Sequence, residues 1–253
     1  MNHRKLGHGA ATALLGLAIV GLLWYAVTAL GIVSRVFVPS PSAAFGSLIR
    51  GVREGDLPLQ SLATVKLMIN GWLLSSVVAI VLGAAIGISA SARQTLEPIL
   101  EFMRPLPASA VIPVAIALFG LTPGMMLGVV AFGSLWPALL ATVHGFANVE
   151  PRLTEVARSL QLSRMAFIVK IGLPNAVPDI LAGMRLSLTV ALILAVIVEM
   201  LAGHAGLGTA ILLAGRAFHS DDMFAGLILL AVIGLLSNGV LRAFERKLLR
   251  WRQ

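Results

Sequence analysis

Long stretches of this chain carry no charged side chain, and they alternate with short charged segments. Residues 9–34, 67–92, 105–149 and 223–241 contain no Asp, Glu, Lys or Arg, and residues 186–215 contain one acid, Glu199. A helix rises about 1.5 Å per residue and the hydrocarbon layer of a membrane is about 30 Å thick, so one crossing takes about 20 apolar residues. The 45 positions of 105–149 would make a single helix about 68 Å long, twice that thickness. Thr122-Pro123-Gly124, near the middle, is a turn signal. The pattern therefore predicts six spans, at about 9–32, 64–91, 106–120, 124–146, 180–202 and 222–243. They form one all-α transmembrane domain over 1–253, with residues 147–178 as the longest loop. Residues 35–60, which hold Pro39, Pro41 and Pro58, form the largest segment on the opposite side.

Composition supports this reading. Of the 253 residues 58% are hydrophobic and only 12% charged, where a soluble domain carries about 25% charged residues. The net charge of +8 raises nucleic acid as a partner. The basic residues sit beside the spans, however, where topology needs them, and nucleic-acid binding is not expected. With an even number of spans both termini face one side. That side then receives 14 of the 19 Lys and Arg, including Arg242, Arg246, Lys247, Arg250 and Arg252 at the end of the chain. The asymmetry predicts cytoplasmic termini. The first apolar stretch exceeds a signal-peptide core of about 7–15 residues, so an uncleaved anchor is expected.

Several chemistries are excluded. There is no cysteine, hence no disulfide, thiolate metal site or cysteine nucleophile. His3, His8, His144, His204 and His219 show no metal-binding spacing, and no Gly-x-Ser-x-Gly elbow occurs. None of the four lysines (Lys5, Lys66, Lys170, Lys247) is preceded by Gly or followed by Ser or Thr, so the chain has no Walker phosphate loop.

The 147–178 loop is patterned. Leu153, Val156, Ala157 and Leu160 fall on one helical face, with Glu155, Arg158 and Ser159 on the other. Pro151 suits the first turn. Met165, Ile168, Val169 and Gly172 repeat the spacing in a second short helix, with Ser163 placed to cap its start and Pro174 expected to limit its end. Periodicity alone leaves two readings open: an amphipathic helix lying on lipid, or a docking element for a cytoplasmic protein.

The run Glu155-x-Ala157-Arg158-Ser159-Leu160-x-x-Ser163, followed by Leu173-Pro174, resembles the EAA loop of ATP-binding-cassette (ABC) importer permeases. Phe37-Val38-Pro39-Ser40-Pro41, Arg104-Pro105-Leu106-Pro107, Ile112-Pro113, Val198-Glu199-Met200 and Gly206-Leu207-Gly208 resemble, in order, segments of the branch that imports sulfonates, taurine and nitrate. The resemblance implies a type I importer permease in a bacterial inner membrane. Its partners would be separate ABC ATPase subunits, which use ATP and Mg, an external solute-binding protein and a second permease copy. The chain itself would bind no cofactor and catalyse no reaction. The same resemblance makes Glu155, Ala157, Arg158, Ser159, Leu160, Gln161, Ser163, Leu173 and Pro174 ATPase-coupling residues. A stand-alone ion-coupled carrier or channel is the alternative function, and it leaves the loop pattern unexplained.

Two positions depart from the family pattern: Val156 stands in place of Ala, and Gln161 in place of Gly. Glycine at 161 suits a backbone with positive φ, a region that costs other residues about 1–2 kcal/mol. Either the loop accepts that strain or its turn has another geometry.

Glu199, in the fifth span, is a separate candidate. An acid near the middle of a span costs about 2.5–3.5 kcal/mol and should face the bundle interior. It is either a hydrogen bond holding spans together or, with Met200, part of a gate or pathway. Pro105, Pro107 and Pro113 remove backbone donors at the entry to the third span, which suits either a bent helix lining a passage or a packing kink. Gly206-Leu207-Gly208 reads as a tight turn, placed by the resemblance near an outer gate.

Overall fold

A computed structural model describes residues 3–103 and 107–249. The basic residues Arg250 and Arg252 lie outside the described residues. The elements are helices α1 (His3–Ala29), α2 (Pro41–Arg53), α3 (Leu57–Ile88), α4 (Ala90–Met103), α5 (Ala108–Phe119), α6 (Pro123–Ala147), α7 (Pro151–Ser159), α8 (Arg164–Phe167), α9 (Leu173–Ala202), α10 (Leu207–Arg216) and α11 (Ser220–Leu248). No strand occurs among the described residues. Helices 57–88, 123–147, 165–202 and 220–248 are each long and apolar enough to cross a membrane, and the α4–α5 pair, bent by 87°, gives up to one more.

Three helices, α3, α6 and α9, form the centre. The α3 face that meets its neighbours is made of small residues four apart. Ser75, Ala79, Gly83 and Gly87 are all buried. Side chains added at the glycines would collide: a Cβ at Gly83 would lie 2.6 Å from Thr142 Cβ, and one at Gly87 2.8 Å from the Val143 carbonyl oxygen. The α6–α9 crossing is built the same way, with Gly145 against Ala176 and Gly183 against Ala141. In lipid, helices gain no hydrophobic drive toward each other, so close backbone approach through small residues is what holds them. Hydroxyls supplement it. Ser75 donates to the Trp72 carbonyl (2.9 Å) and accepts from Ser134 (3.0 Å), while Ser187 donates to the Ser134 carbonyl. One serine column thus links all three helices.

The contacts also fix direction. Gly71 meets Val130, Gly83 meets Thr142 and Gly87 meets Phe146, so α3 and α6 run parallel. Gly145 meets Ala176 and Gly133 meets Leu194, so α9 runs antiparallel to both. The ion pair of Arg185 with Glu245 joins the early part of α9 to the end of α11. At the other end of the bundle Trp24 of α1 stacks on Phe224 of α11 at 5.5 Å.

Three sequence expectations change, while the turn read at Thr122-Pro123-Gly124 does mark the start of a helix. The predicted 64–91 span breaks at Ser89, whose backbone is extended and whose Oγ accepts from Ala92 N (3.3 Å), capping α4. The 106–120 span contains a helix of only 12 residues, α5, about 18 Å long and too short to cross alone. Thr122 caps α6 through Met125 N (3.1 Å). Pro174 does not end the second loop helix. Helix continues from α8 through a π-helical turn, Ile168–Gly172, into α9, so the fifth long helix starts near 165 rather than 180. In a regular α-helix Pro174 would clash with the Lys170 carbonyl. Here the turn before it is π-helical, closed by Leu173 N–H to the Ile168 carbonyl, and such a wider turn changes the register of carbonyls that a regular α-helix would set against the ring.

Gly183→Leu should therefore destabilise the bundle, because its Cβ alone would sit 2.4 Å from Ala141 Cβ. A cost of about 1–3 kcal/mol corresponds to a fall of several degrees in the thermal midpoint measured in detergent. Gly128→Leu, in open space, should leave the midpoint unchanged. Equal midpoints for both variants would contradict the close-approach account.

Candidate functional site

At one end of the bundle, α7 projects beyond the close of α6. Just before it, the carbonyls of Gly145 (3.1 Å) and Asn148 (3.3 Å) accept from Asn175 Nδ2, which so ties the start of α9 to the end of α6. Of the predicted stripe only Ala157 is buried; Leu153, Val156 and Leu160 are 38%, 51% and 65% exposed. Glu155, Arg158 and Ser159 are also exposed. Ser159 Oγ turns back to the Glu155 carbonyl (3.1 Å). An exposed apolar stripe beside an exposed charged face is a surface for something outside the chain.

Gln161 adopts φ +51. Of the two geometries open at that position, the loop takes the strained one. The turn closes through Gln161 N to the Arg158 carbonyl (3.0 Å) and Leu162 N to the Ala157 carbonyl (3.0 Å). Ser163 then caps α8, its Oγ accepting from Ala166 N (3.2 Å). Met165, Val169 and Leu173 stay exposed, and Pro174, also exposed, lies in the first turn of α9.

Between α5, α6 and α9 runs a cavity of about 720 Å³, bordered by Ala108, Trp136, Leu140, His144, Leu186 and Thr189. Sequence reasoning did not single out this groove. Its trace was present in Ala182, Leu186, Thr189 and Ile193, spaced as one helical face and exposed along α9. Among the described residues, His144 is the one titratable residue on its wall, and no Lys or Arg lines it. Pro107 occupies the N-cap position of α5, and Pro113 lies inside that helix with an exposed ring. Pro105 lies outside the described residues.

Glu199 sits near the opposite end of α9 and is buried, 1% exposed; Met200 beside it is half-buried. Its Oε2 accepts from Thr64 Oγ1 (3.0 Å) and from Gly208 N (2.9 Å). Thr64, fully buried on α3, also accepts from Leu207 N (2.9 Å). Gly206 and Gly208 are there because nothing larger fits. A Cβ on Gly206 would lie 2.2 Å from Glu199 Cδ, and one on Gly208 2.3 Å from the Val196 carbonyl oxygen. The tight turn expected at 206–208 falls instead at Gly203, in the left-handed region at φ +66, while Gly208 is already helical. Thr64 was missed, although it continues the α3 face of Met68, Gly71 and Ser75.

The family model for the binding-protein-dependent transport system inner membrane component matches residues 75–250. The chain belongs to that family. Among its relatives is the Bacillus subtilis protein named as an aliphatic sulfonates transport permease, SsuC, 32% identical over 97% of this chain and 89% of its own length. The taurine transport system permease protein TauC of Escherichia coli is 28% identical over 93% of this chain and 87% of its own. The nitrate import permease protein NrtB of Leptolyngbya laminosa is 30% identical over 72% and 65%. This chain is thus an ABC importer permease of the sulfonate, taurine and nitrate branch, a multi-pass inner-membrane protein of a kind that works with ATPase and binding-protein partners.

In this permease, replacing Gln161 by Gly should relieve the left-handed strain. The gain, up to about 1 kcal/mol, should slow amide hydrogen exchange over 158–163 by up to about fivefold. Gln161→Val should speed it, because a β-branched residue tolerates positive φ least. Faster exchange in the glycine variant would argue against strain at this turn.

Proposed function

We propose that this permease forms half of a transmembrane path for a small anion, and that α7 receives the motion of a separate ATPase. The observation that carries this reading is α7 itself: a helix that follows the end of α6 with its apolar stripe exposed. Glu155 and Arg158 would fix register in a groove of the ATPase, and Leu153, Val156 and Leu160 would pack into it. Ala157, Ser159, Gln161, Ser163, Leu173 and Pro174 would shape and support that contact. ATP and Mg would be bound by the partner.

The helix directions support six crossings with both ends on the α7 side. α3 and α6 run parallel, so the chain would return through the layer between them, with the bent α4–α5 pair as one crossing. α1 reaches the start of α11 with Trp24, and α11 returns to the early part of α9 with Glu245. The excess of Arg and Lys on that side makes it cytoplasmic.

The groove of α5, α6 and α9 would be one wall of the path, closed by a second copy of the permease in a surround of lipid. Pro107 and Pro113 would then sit on the helix that borders the passage. The solute is read from the relatives: a sulfonate, taurine or nitrate. The solute would be selected by the binding protein that delivers it, with the described residues of the wall, mostly apolar, serving passage.

Reconstituted with its ATPase and binding protein, Glu155→Ala should insert and fold as the parent does but lose at least about tenfold in solute uptake per ATP hydrolysed. Leu160→Asp should no longer retain the ATPase through purification. Unchanged uptake and retention in both variants, or uptake by the permease alone, would favour a stand-alone carrier.

A further inference from the structure

The cluster around Glu199 borders neither the groove nor α7. α10 is ten residues long, about 15 Å, and cannot cross a membrane. A half-helix of this kind leaves its first amides without intrahelical partners, and in an apolar layer they must find others. Here they do. The Gly208 amide is taken by Glu199 and the Leu207 amide by Thr64, which in turn lies against Glu199. Thr64 Oγ1 is also within 3.1 Å of the Gln60 carbonyl. Thr209 completes the cluster, its Oγ1 lying 2.8 Å from the Glu199 carbonyl and 2.6 Å from that of His204. The contacts reach α10 from two helices, α3 and α9.

We propose that Glu199 and Thr64 are positioning residues. They clasp the start of α10 to α3 and α9, so that the three helices move as one body during transport, and the clasp requires an acceptor at position 199 rather than a negative charge. Both groups that bond to the carboxylate, a hydroxyl and a backbone amide, are neutral, and no salt bridge reaches Glu199 among the described residues. A glutamine side-chain oxygen has the two lone pairs needed to take both bonds. Gly206 and Gly208 are the matching half of the clasp: the carboxylate fills the space a Gly206 side chain would need, and the Val196 carbonyl that of Gly208.

The transport consequence rests on the importer reading above, but the clasp itself does not, and the test separates them. Amide hydrogen exchange over 203–212 is measured on the purified permease. Uptake and ATPase activity are measured on the reconstituted complex with its binding protein. Glu199→Gln should keep exchange within about twofold of the parent and keep uptake. Glu199→Leu and Thr64→Val should raise exchange about tenfold or more and abolish uptake while the ATPase is still retained. Thr64→Ser, which restores the hydroxyl, should rescue both. If Glu199→Leu does not fold, the Thr64 pair alone decides. Retained protection with lost uptake in Glu199→Gln would overturn the proposal and assign the position to a gate that needs charge. Unchanged exchange in Thr64→Val would overturn the clasp. Should no variant or parent support ATP-driven uptake, the importer reading fails while the exchange data still judge the clasp.

Discussion

Everything in this molecule depends on how closely α3, α6 and α9 approach one another. Without water in the surrounding layer, apolar side chains gain little by leaving lipid for protein, so contact rests on dispersion between backbones and on a few hydrogen bonds. Ser75, Ala79, Gly83 and Gly87 permit the first, and the serine column of Ser75, Ser134 and Ser187 adds the second. These contacts run nearly the length of the bundle, from Gly71 against Val130 to Gly87 against Phe146. The three helices therefore have little freedom to slide singly. Rearrangement falls to what surrounds them: the α4–α5 pair and whatever covers the groove.

The two ends of this core are finished differently. At one, the backbone is exposed deliberately: α7 keeps its stripe uncovered and Gln161 accepts a left-handed turn to aim it. At the other, one carboxylate and one threonine are buried and take the amides of a helix too short to cross. An exposed end suits a changing partner; a closed end suits a fixed relation between elements. That contrast is what the proposed division of labour between coupling and positioning would require.

Much of this was legible in the sequence. Charge-free stretches located the long helices because the cost of a charge in lipid dominates every local preference. The loop was legible because its periodicity and its family pattern agree. Gln161 was legible as a choice between two geometries, since a glycine missing from its usual place points to φ. Other features were not. Ser89 breaks a span in a run that hydropathy reads as continuous, because one capping serine changes the backbone without changing apolarity. The groove was missed because exposed Leu186 and Ile193 look the same in sequence whether they face lipid, a passage or a partner. Thr64 was missed because its importance lies entirely in partners 135 and 143 residues away.

Pro174 carries the sharpest lesson. A proline normally marks a helix end, and that expectation would put a hinge between the loop and the fifth long helix. The π-helical turn at Ile168–Gly172 removes the hinge. Helix continues through it, from Met165 to Ala202, without a break. Ser163 caps its near end, and Glu199 lies three residues from its far end. A push on α7 would then be separated from that rod only by the turn at Gln161. The turn is short, strained and closed by two backbone hydrogen bonds, so it resists bending more than a flexible linker would. In the proposed mechanism, displacement at the cytoplasmic face therefore reaches the clasp along one continuous helix, and the proline's position just after the wide turn is what makes that continuity possible.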